Sequence, residues 1–178
     1  SKILSAMNRK HNIYEYHKII EDLKKAKPGI KFSSDFIIGY PGESEDDFDQ
    51  TLNLIKKIEF INSYSFVYSS RPGTPATKLD KVDTGIAKKR LVKLQAILEK
   101  NNSNYKKGIL DKSIEVLFEN KLSNQNKYFG RDKFLNSVIV ESEKNLTGKI
   151  LDIKINAFNH NNLFGTILSD KKRNLHLN

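Results

Sequence analysis

The spacing of apolar residues changes once along this chain, and the change divides the chain into two regions. Before about residue 100, apolar residues recur every three or four positions, as on one face of a helix, and two apolar segments at 30–40 and 63–69 interrupt them. The resulting order of helix, strand, helix, strand, helix is typical of a parallel α/β unit. Beyond the Asn-Asn-Ser-Asn run at 101–104 the spacing becomes short and alternating, which indicates strands.

The second region predicts a small β-barrel. Its strand candidates are 113–119, 127–131, 137–141, 150–158 and 163–168. The Asn-His-Asn-Asn segment at 159–162 is a good hairpin loop between the last two strands. Five short strands over this length predict an antiparallel barrel of the oligonucleotide-binding size. We place the boundary so that residues 1–107 form the α/β domain and residues 108–178 the barrel domain.

The chain is strongly basic, with a formal net charge of +10. Residues 101–178 hold 13 basic and 8 acidic side chains, a balance of +5, so residues 1–100 carry the other +5. A basic surface suits a polyanionic partner such as nucleic acid, because lysines and arginines that neutralise phosphates release counterions. Lysine-rich codon usage in an AT-rich genome is the alternative explanation of such a diffuse excess.

The residue types exclude thiol chemistry within this chain, because it contains no cysteine. Its four histidines are scattered without a metal-ligand spacing, so we expect no metal site here. No apolar run approaches the roughly 20 residues of a membrane helix, and no signal peptide is visible. We therefore expect a cytoplasmic protein without membrane contact, and we interpret the abrupt helical start at Ser1 as that of a truncated or processed chain.

Two turns follow the two predicted strands of the first region. Parallel α/β folds bind ligands beyond the carboxyl ends of their strands, so both turns lie at the functional rim. In the first, Gly39 and Gly42 allow close approach to a flat ligand, and Asp35 can accept hydrogen bonds from ribose hydroxyls; an ordinary strand-to-helix turn is the alternative. In the second, Arg71 suits a carboxylate or phosphate, or lies on the surface of a rigid loop. Near the amino terminus, Arg9 either clamps a carboxylate or caps a helix end.

In the second region, basic and aromatic residues alternate along one predicted strand and the turn after it. Arg131 and Lys133 are our preferred RNA contacts, with Lys127 beside them, because basic groups neutralise phosphates while exposed rings stack on splayed bases. Strand alternation alternatively places Tyr128 or Phe134 in the barrel core.

Three motifs together resemble the radical-SAM methylthiotransferases. Residues 2–11 (KILSAMNRKH) resemble their Ile-Leu-x-x-Met-x-Arg segment, 35–43 (DFIIGYPGE) their Asp-Phe-Ile-Val-Gly-Phe-Pro-Gly-Glu signature, and 69–76 (SSRPGTPA) their Ser-Pro-Arg-Pro-Gly-Thr-Pro-Ala loop. Segments 130–131, 136–138 and 148–153 are similar to the appended TRAM domain. Tyr40 replaces the usual Phe, and Asp132 stands where Thr is common.

The resemblance implies the rear half of a TIM-like radical-SAM barrel followed by a TRAM domain. Residues 7–11 and the Arg-Pro-Gly-Thr loop favour the MiaB type, which methylthiolates C2 of N6-isopentenyladenosine beside the tRNA anticodon. The resemblance implies S-adenosylmethionine as cofactor and two [4Fe–4S] clusters whose ligands lie outside this chain. It also implies that the protein is a monomer and that its partner is the tRNA anticodon stem-loop. In that mechanism a 5′-deoxyadenosyl radical abstracts the C2 hydrogen, and sulfur comes from the second cluster.

The resemblance also assigns roles to individual residues. Arg9 is expected at the cofactor carboxylate, Asp35 at its ribose, and Arg71 at the cofactor or substrate. The adenine is expected against Gly39, Tyr40, Pro41, Gly42 and Glu43. In the barrel, Lys127, Arg131, Lys133 and Asn136 are expected to contact RNA.

Two other interpretations stay open. One is a related methylthiotransferase that acts on threonylcarbamoyl-adenosine tRNA or on a ribosomal protein. The other is an RNA-binding module without catalysis of its own. For the enzyme, we expect the isolated half-barrel to be inactive and to expose an apolar edge where the missing strands would pack.

Overall fold

The structure is a computed structural model that describes residues 2–123 and 126–168. The chain folds into two compact units, and the division falls between Asn102 and Ser103. Within the described residues, no helix is long and apolar enough to cross a membrane.

The first unit alternates helices with two short strands, as the apolar spacing predicts. The elements are α1 (Lys2–Ala6), α2 (Ile13–Ala26), β1 (Asp35–Ile38), α3 (Glu45–Ile58), β2 (Tyr64–Val67), a 3₁₀ turn (Pro75–Lys78) and α4 (Thr84–Gly108). The last residues of α4 belong to the second unit. Strands β1 and β2 pair in parallel, with Asp35 opposite Tyr64 and Ile38 opposite Val67. The predicted α/β alternation is confirmed.

Local side-chain bonds fix where the helices begin. The Ser44 hydroxyl accepts the backbone N–H of Asp47, and the Asp47 carboxylate accepts the N–H of Ser44, which is a reciprocal capping box. Asn12 and Glu15 form the same arrangement at the start of α2. Helix α3 therefore begins directly after Ser44, and α2 ends at Ala26, just before Pro28.

The first strand is shorter than its apolar segment predicts. Residues 30–34 lie outside β1. Polar groups of Ser33 and Ser34 form hydrogen bonds with the turn before β2 and not with a neighbouring strand. The Ser33 hydroxyl donates to the Asn62 carbonyl at 2.9 Å, and the Ser34 N–H donates to the Ser63 hydroxyl at 3.1 Å. The apolar side chain of Phe32 still packs against the core, which explains why the pattern resembles a longer strand.

One face of the small sheet is covered and the other is open. Helices α3 and α4 pack on the covered face, and their contacts form one core. Its fully or largely buried members include Phe36, Ile38, Phe48, Leu52, Ile55, Phe60 and Leu94. On the open face, Ile37 is 38% exposed, Phe66 54% and Tyr64 67%. The open face therefore presents apolar side chains to solvent, and an apolar edge where further strands would pack stays a prediction.

The second unit is a closed five-stranded barrel. Its strands are β3 (Ser113–Lys121), β4 (Lys127–Asp132), β5 (Ser137–Glu141), β6 (Ile150–Phe158) and β7 (Asn162–Ile167). They are ordered β3-β4-β5-β7-β6, and β6 pairs with β3 to close the ring. All five predicted strands are confirmed, with ends that differ by one or two residues.

The prediction of an entirely antiparallel barrel is wrong. Strands β5 and β7 pair in parallel, with Ser137 opposite Asn162 and Val140 opposite Gly165. The other four pairs are antiparallel. Strand direction cannot alternate all the way around a closed ring with an odd number of strands, so at least one pair must be parallel.

Two glycines allow strands of the barrel to approach one another closely. A Cβ built on Gly130 would lie 2.5 Å from the Leu117 carbonyl oxygen and 2.8 Å from a methyl group of Val116. A Cβ on Gly165 would collide with the carbonyl oxygen of Lys154. Neither glycine has a positive φ, so the need for glycine here is steric.

Replacing Gly130 with Ala should lower the free energy of unfolding by about 1–3 kcal/mol, because the added methyl group displaces β3 backbone. Urea denaturation followed by circular dichroism measures the change. Gly108→Ala is the matched control, since nothing lies within 4 Å of its Cβ position; it should be neutral or stabilising by up to about 1 kcal/mol. Equal effects of the two substitutions would contradict the steric explanation.

Candidate functional site

The two predicted ligand loops leave the first sheet at the same edge, side by side. Both follow the carboxyl ends of the parallel strands β1 and β2. The Tyr68 N–H donates to the Ile38 carbonyl at 2.8 Å, which extends the pairing to the loop bases. The rings of Tyr40 and Tyr68 then meet edge to face, with centroids 5.1 Å apart. The loops therefore form one rim, as the strand order predicts.

The first loop, residues 39–43, is organised around the carboxylate of Glu43. Its Oε2 accepts the N–H of Gly39 at 2.9 Å, and the Glu43 N–H donates to the Tyr40 carbonyl at 2.9 Å. Gly39 and Gly42 have φ values of 74° and 83°, which favour glycine. A Cβ on Gly39 would lie 2.8 Å from Cβ of Ala87, whereas the Gly42 position is open. Gly39 therefore allows close packing of α4 against the loop, and Gly42 keeps a free approach.

A buried arginine of α4 completes this arrangement. Nη1 of Arg90 donates to Glu43 Oε2 at 2.9 Å and to the Glu43 carbonyl at 3.2 Å. Its Nε and Nη2 donate to Glu45 Oε2 at 3.1 and 2.8 Å. The side chains of Arg90 and Glu43 are only 9% and 5% exposed. Burial raises the pKa of Glu43, and the bonds from Gly39 and Arg90 partly offset that rise.

Tyr40 and Pro41 lie beneath the surface of the loop. Tyr40 is 6% exposed, and its hydroxyl donates to the Ala6 carbonyl at 2.8 Å, which ties the loop to the end of α1. Pro41 is likewise buried. These residues fix the position of the amino-terminal segment next to the loop.

A cavity of about 460 Å³ opens between α1, α2, β1 and α3. It brings together three predicted cofactor residues, namely Arg9, Asp35 and Glu43. Its apolar lining comes from Ile3, Leu4, Met7, Ile13, Phe36, Ile37 and Leu54. The Glu43 carboxylate is engaged by Arg90, and the Asp47 carboxylate, which also lines the cavity, is engaged by Ser44. Arg9 and Asp35 are therefore the charged groups offered to a ligand. A cation and an anion above an apolar lining suit a zwitterionic molecule with an apolar part.

The structure does not bring all eight predicted cofactor residues to this cavity. Gly39, Tyr40, Pro41, Gly42 and Arg71 lie outside its lining. Arg71 is exposed in the second loop, where its carbonyl accepts the Thr74 N–H at 3.3 Å and the Thr74 hydroxyl at 2.8 Å. Ligand contacts for these five residues stay predictions.

Three of the predicted RNA contacts are exposed or half-exposed cations on the barrel. Lys127 pairs with Glu141 at 3.5 Å. Nε of Arg131 lies 3.0 Å from Glu119 Oε1, and its guanidinium is 5.3 Å from the centre of the Phe129 ring. Nζ of Lys133 is 5.1 Å from the centre of the Phe134 ring.

The fourth predicted contact, Asn136, lies inside a buried network. It is 3% exposed, and its Nδ2 donates to Asp132 Oδ2 at 2.8 Å and to the Tyr105 hydroxyl at 3.4 Å. Burial, together with the Asp132 charge, raises the pKa of Tyr105 to about 12, so the phenol stays protonated. Tyr128 is also buried, as the strand alternation allows. Asn136 stabilises the turn after β4, and an RNA contact by it stays a prediction.

Comparison with known proteins gives the chain its family. It is 46% identical over 173 residues to the tRNA-2-methylthio-N(6)-dimethylallyladenosine synthase of Pelagibacter ubique, across 97% of this chain and 39% of that protein. The synthases of Wolbachia pipientis wMel and Maricaulis maris are 41% and 37% identical, across 93% and 96% of the chain and 38% of each protein. This chain belongs to the family of these synthases. No family model matches it.

The chain spans less than two fifths of the length of the relatives from Wolbachia and Maricaulis. Among its described residues, no group of three or more His, Cys, Asp or Glu side chains is placed to hold a metal ion. The described residues of this family member form the two-loop rim, the cavity and the barrel.

Sequence reasoning missed two residues that organise these sites. Arg90 lies on α4, 47 positions from Glu43. The chain contains many charged residues, and nothing in the sequence indicates which of them pairs with Glu43. Asp132 had a usable signal, because aspartate commonly accepts N–H groups two residues on in a turn. Its carboxylate accepts the N–H of Phe134 at 2.8 Å.

Replacing Arg90 with Met should lower the free energy of unfolding by about 3–5 kcal/mol, because it leaves a buried carboxylate without its cation. The loss should be greatest near neutral pH. It should shrink as the pH falls, since the pKa of Glu43 is already raised and the unpaired acid then protonates in the folded state. Chemical denaturation at several pH values measures both effects.

Lys93→Met is the control for this prediction, because the Lys93–Asp49 pair is 3.8 Å apart and more than half exposed on both sides. It should change the free energy of unfolding by about 0–1 kcal/mol. A loss for Arg90→Met that stays the same at every pH would rule out the unpaired Glu43 carboxylate as its cause.

Proposed function

We propose that the chain is the S-adenosylmethionine- and tRNA-binding part of an enzyme that methylthiolates C2 of N6-isopentenyladenosine next to the tRNA anticodon. The observation that carries the proposal is the identity of 37–46% to synthases named for this product, over nearly the whole chain. These names favour isopentenylated adenosine over threonylcarbamoyl-adenosine or a ribosomal protein as substrate. They also favour an enzyme over an RNA-binding module without catalysis.

The cavity next to β1 supports the cofactor part of the proposal. Its size, its apolar lining and its paired charges fit an amino-acid sulfonium carrying a nucleoside. Arg9 would bind the carboxylate of S-adenosylmethionine, and Asp35 would accept the ribose hydroxyls. The bound cofactor would supply the radical and the methyl group of the reaction. Gly39, Tyr40, Pro41, Gly42, Glu43 and Arg71 are proposed to border the same ligand from the loop rim.

The two [4Fe–4S] clusters of the proposed enzyme need ligands from outside this chain. Thiolates hold such clusters, and the sequence contains no cysteine. The isolated chain is therefore expected to bind without catalysing the reaction. We assign residues 1–107 to the radical-SAM domain and residues 108–178 to the TRAM domain.

The barrel is proposed to bind the anticodon stem-loop. The proposed phosphate contacts are Lys127, Arg131 and Lys133. Asn136, in the turn after β4, is proposed as a further RNA contact. The aromatic rings beneath Arg131 and Lys133 hold these cations in place, because a cation over a ring face is attracted to it. We propose that the enzyme is a monomer and that it acts in the cytoplasm.

Replacing Asp35 with Asn should weaken binding of S-adenosylmethionine to the chain by about tenfold or more, because the hydrogen bonds from the ribose lose their charged acceptor. Isothermal titration calorimetry measures the affinity. Asp22→Asn is the control, since Asp22 is exposed on α2 and does not line the cavity. Equal affinities for the parent and Asp35→Asn would reject the ribose role.

Deleting the gene should remove the 2-methylthio-N6-isopentenyl nucleoside from total tRNA and leave the unmethylthiolated precursor in its place. Liquid chromatography with mass spectrometry of digested tRNA detects both nucleosides. The complete gene should restore the product, whereas a gene for the 178-residue chain alone should not. An unaltered nucleoside profile in the deletion strain would overturn the proposed substrate.

A further inference from the structure

The turn between β4 and β5 holds a leucine in an unusual backbone conformation. Leu135 has a φ of 63°, in the left-handed region that is disfavoured for side chains with a Cβ. It is also 68% exposed, so its apolar side chain contributes little to the barrel core. Glycine or asparagine ordinarily occupies such a position. Folding alone therefore gives no reason for leucine here.

A buried carboxylate keeps the turn in this conformation. Asp132 is 6% exposed, and its Oδ1 accepts the N–H groups of Phe134 and Asn136 at 2.8 and 2.9 Å. Its Oδ2 accepts Nδ2 of Asn136 at 2.8 Å, and its carbonyl accepts the Leu135 N–H at 3.0 Å. A strained backbone persists only where its surroundings fix it in this way, and such sites cluster at ligand contacts.

The aromatic residue of the turn points inward while its neighbours stay exposed. The ring of Phe134 meets that of Tyr105 edge to face, with centroids 6.3 Å apart. Lys133 and Leu135, on either side of Phe134, are both exposed. The turn thus presents one cation and one apolar side chain together at its tip.

The neighbouring hairpin is held at the same end of the barrel. Ser137 at the start of β5 is opposite Asn162 at the start of β7, so the β6–β7 loop lies beside the turn. Lys106, which is 4% exposed, donates from Nζ to the His160 carbonyl at 2.6 Å and to the Asn159 carbonyl at 3.4 Å. Both loops at this end are therefore fixed by α4, which reduces the ordering cost of binding.

We propose that the β4–β5 turn is a rigid contact for an unpaired RNA base. Leu135 packs its side chain against the face of the base, and Lys133 neutralises the adjoining phosphate. Asp132 is the positioning residue that holds Leu135 outward. The inference deepens the proposed tRNA function and rests on it.

Charge and exposure favour RNA as the occupant over a protein. The chain carries a net charge of +10, and Arg131 and Lys133 flank the buried Asp132. An apolar side chain next to cations matches a nucleotide, which offers an apolar ring face beside an anionic phosphate. Apolar side chains such as leucine also pack between bases of bound nucleic acid.

The test measures the affinity of the 178-residue chain for two RNA probes. One is a hairpin with an adenine- and uracil-rich single-stranded loop, and the other is the duplex of its stem. Leu135→Asn should weaken binding of the hairpin by about fivefold or more, since packing on one base is lost, and should leave duplex binding unchanged. Asparagine tolerates a positive φ, so the variant should be at least as resistant to thermal unfolding as the parent.

Two further variants separate the roles of the residues. Lys133→Gln should weaken the binding of both probes and lower the salt dependence of that binding, because a phosphate contact is lost. Leu79→Asn, at an exposed leucine of the first unit, is the matched control and should change neither affinity. Asp132→Asn should weaken hairpin binding in the parent but not in the Leu135→Asn background, because a positioning residue acts only through the residue that it holds.

The outcomes distinguish the inference from the function on which it rests. Unchanged hairpin affinity for Leu135→Asn, with weaker binding for Lys133→Gln, would overturn the tip contact and leave RNA binding intact. Additive effects of Asp132→Asn and Leu135→Asn would overturn the positioning role. A parent chain that binds neither probe would count against both the inference and the proposed tRNA function.

Discussion

The buried carboxylate of Glu43 joins the loop after β1 to helix α4, and the rim of the first unit depends on this link. It holds the loop after β1 in shape through the Gly39 N–H, and it binds α4 to that loop through Arg90. A buried ion pair of this kind stabilises little relative to apolar packing, but it specifies which surfaces meet. Here it fixes the direction in which the loop leaves the sheet, and Tyr40 takes its place from that direction.

This arrangement separates the residues that shape the rim from those that remain available to a ligand. Glu43, Tyr40 and Gly39 have partners within the protein, whereas Arg9 and Asp35 line a cavity with their charged groups exposed. A conspicuous sequence motif therefore mixes two kinds of residue, and only some of them are suited to direct contact. In the barrel, Asn136 belongs to the first kind, and Lys133 to the second.

The sequence predicts most of the fold because local patterns carry most of the information. The alternation in 113–158 depends on near neighbours, and the strands that it predicts are confirmed. The capping box at Ser44 is equally local. The first strand was predicted too long, because Phe32 packs against the core without a ladder. The Arg90 partnership could not be predicted, since it links distant positions. The parallel β5–β7 pair could have been deduced, because five strands cannot alternate around a ring.

That odd ring also dictates how the barrel can assemble. Neighbouring hairpins build β3-β4-β5 and β6-β7 by short-range contacts, but the ring closes only when Ser113 pairs with Lys154 and Ser137 with Asn162. These pairings bring together segments distant along the chain, and such long-range closure slows folding. Until both pairings form, the outer edges of β3, β5, β6 and β7 have no ladder partners and face the solvent.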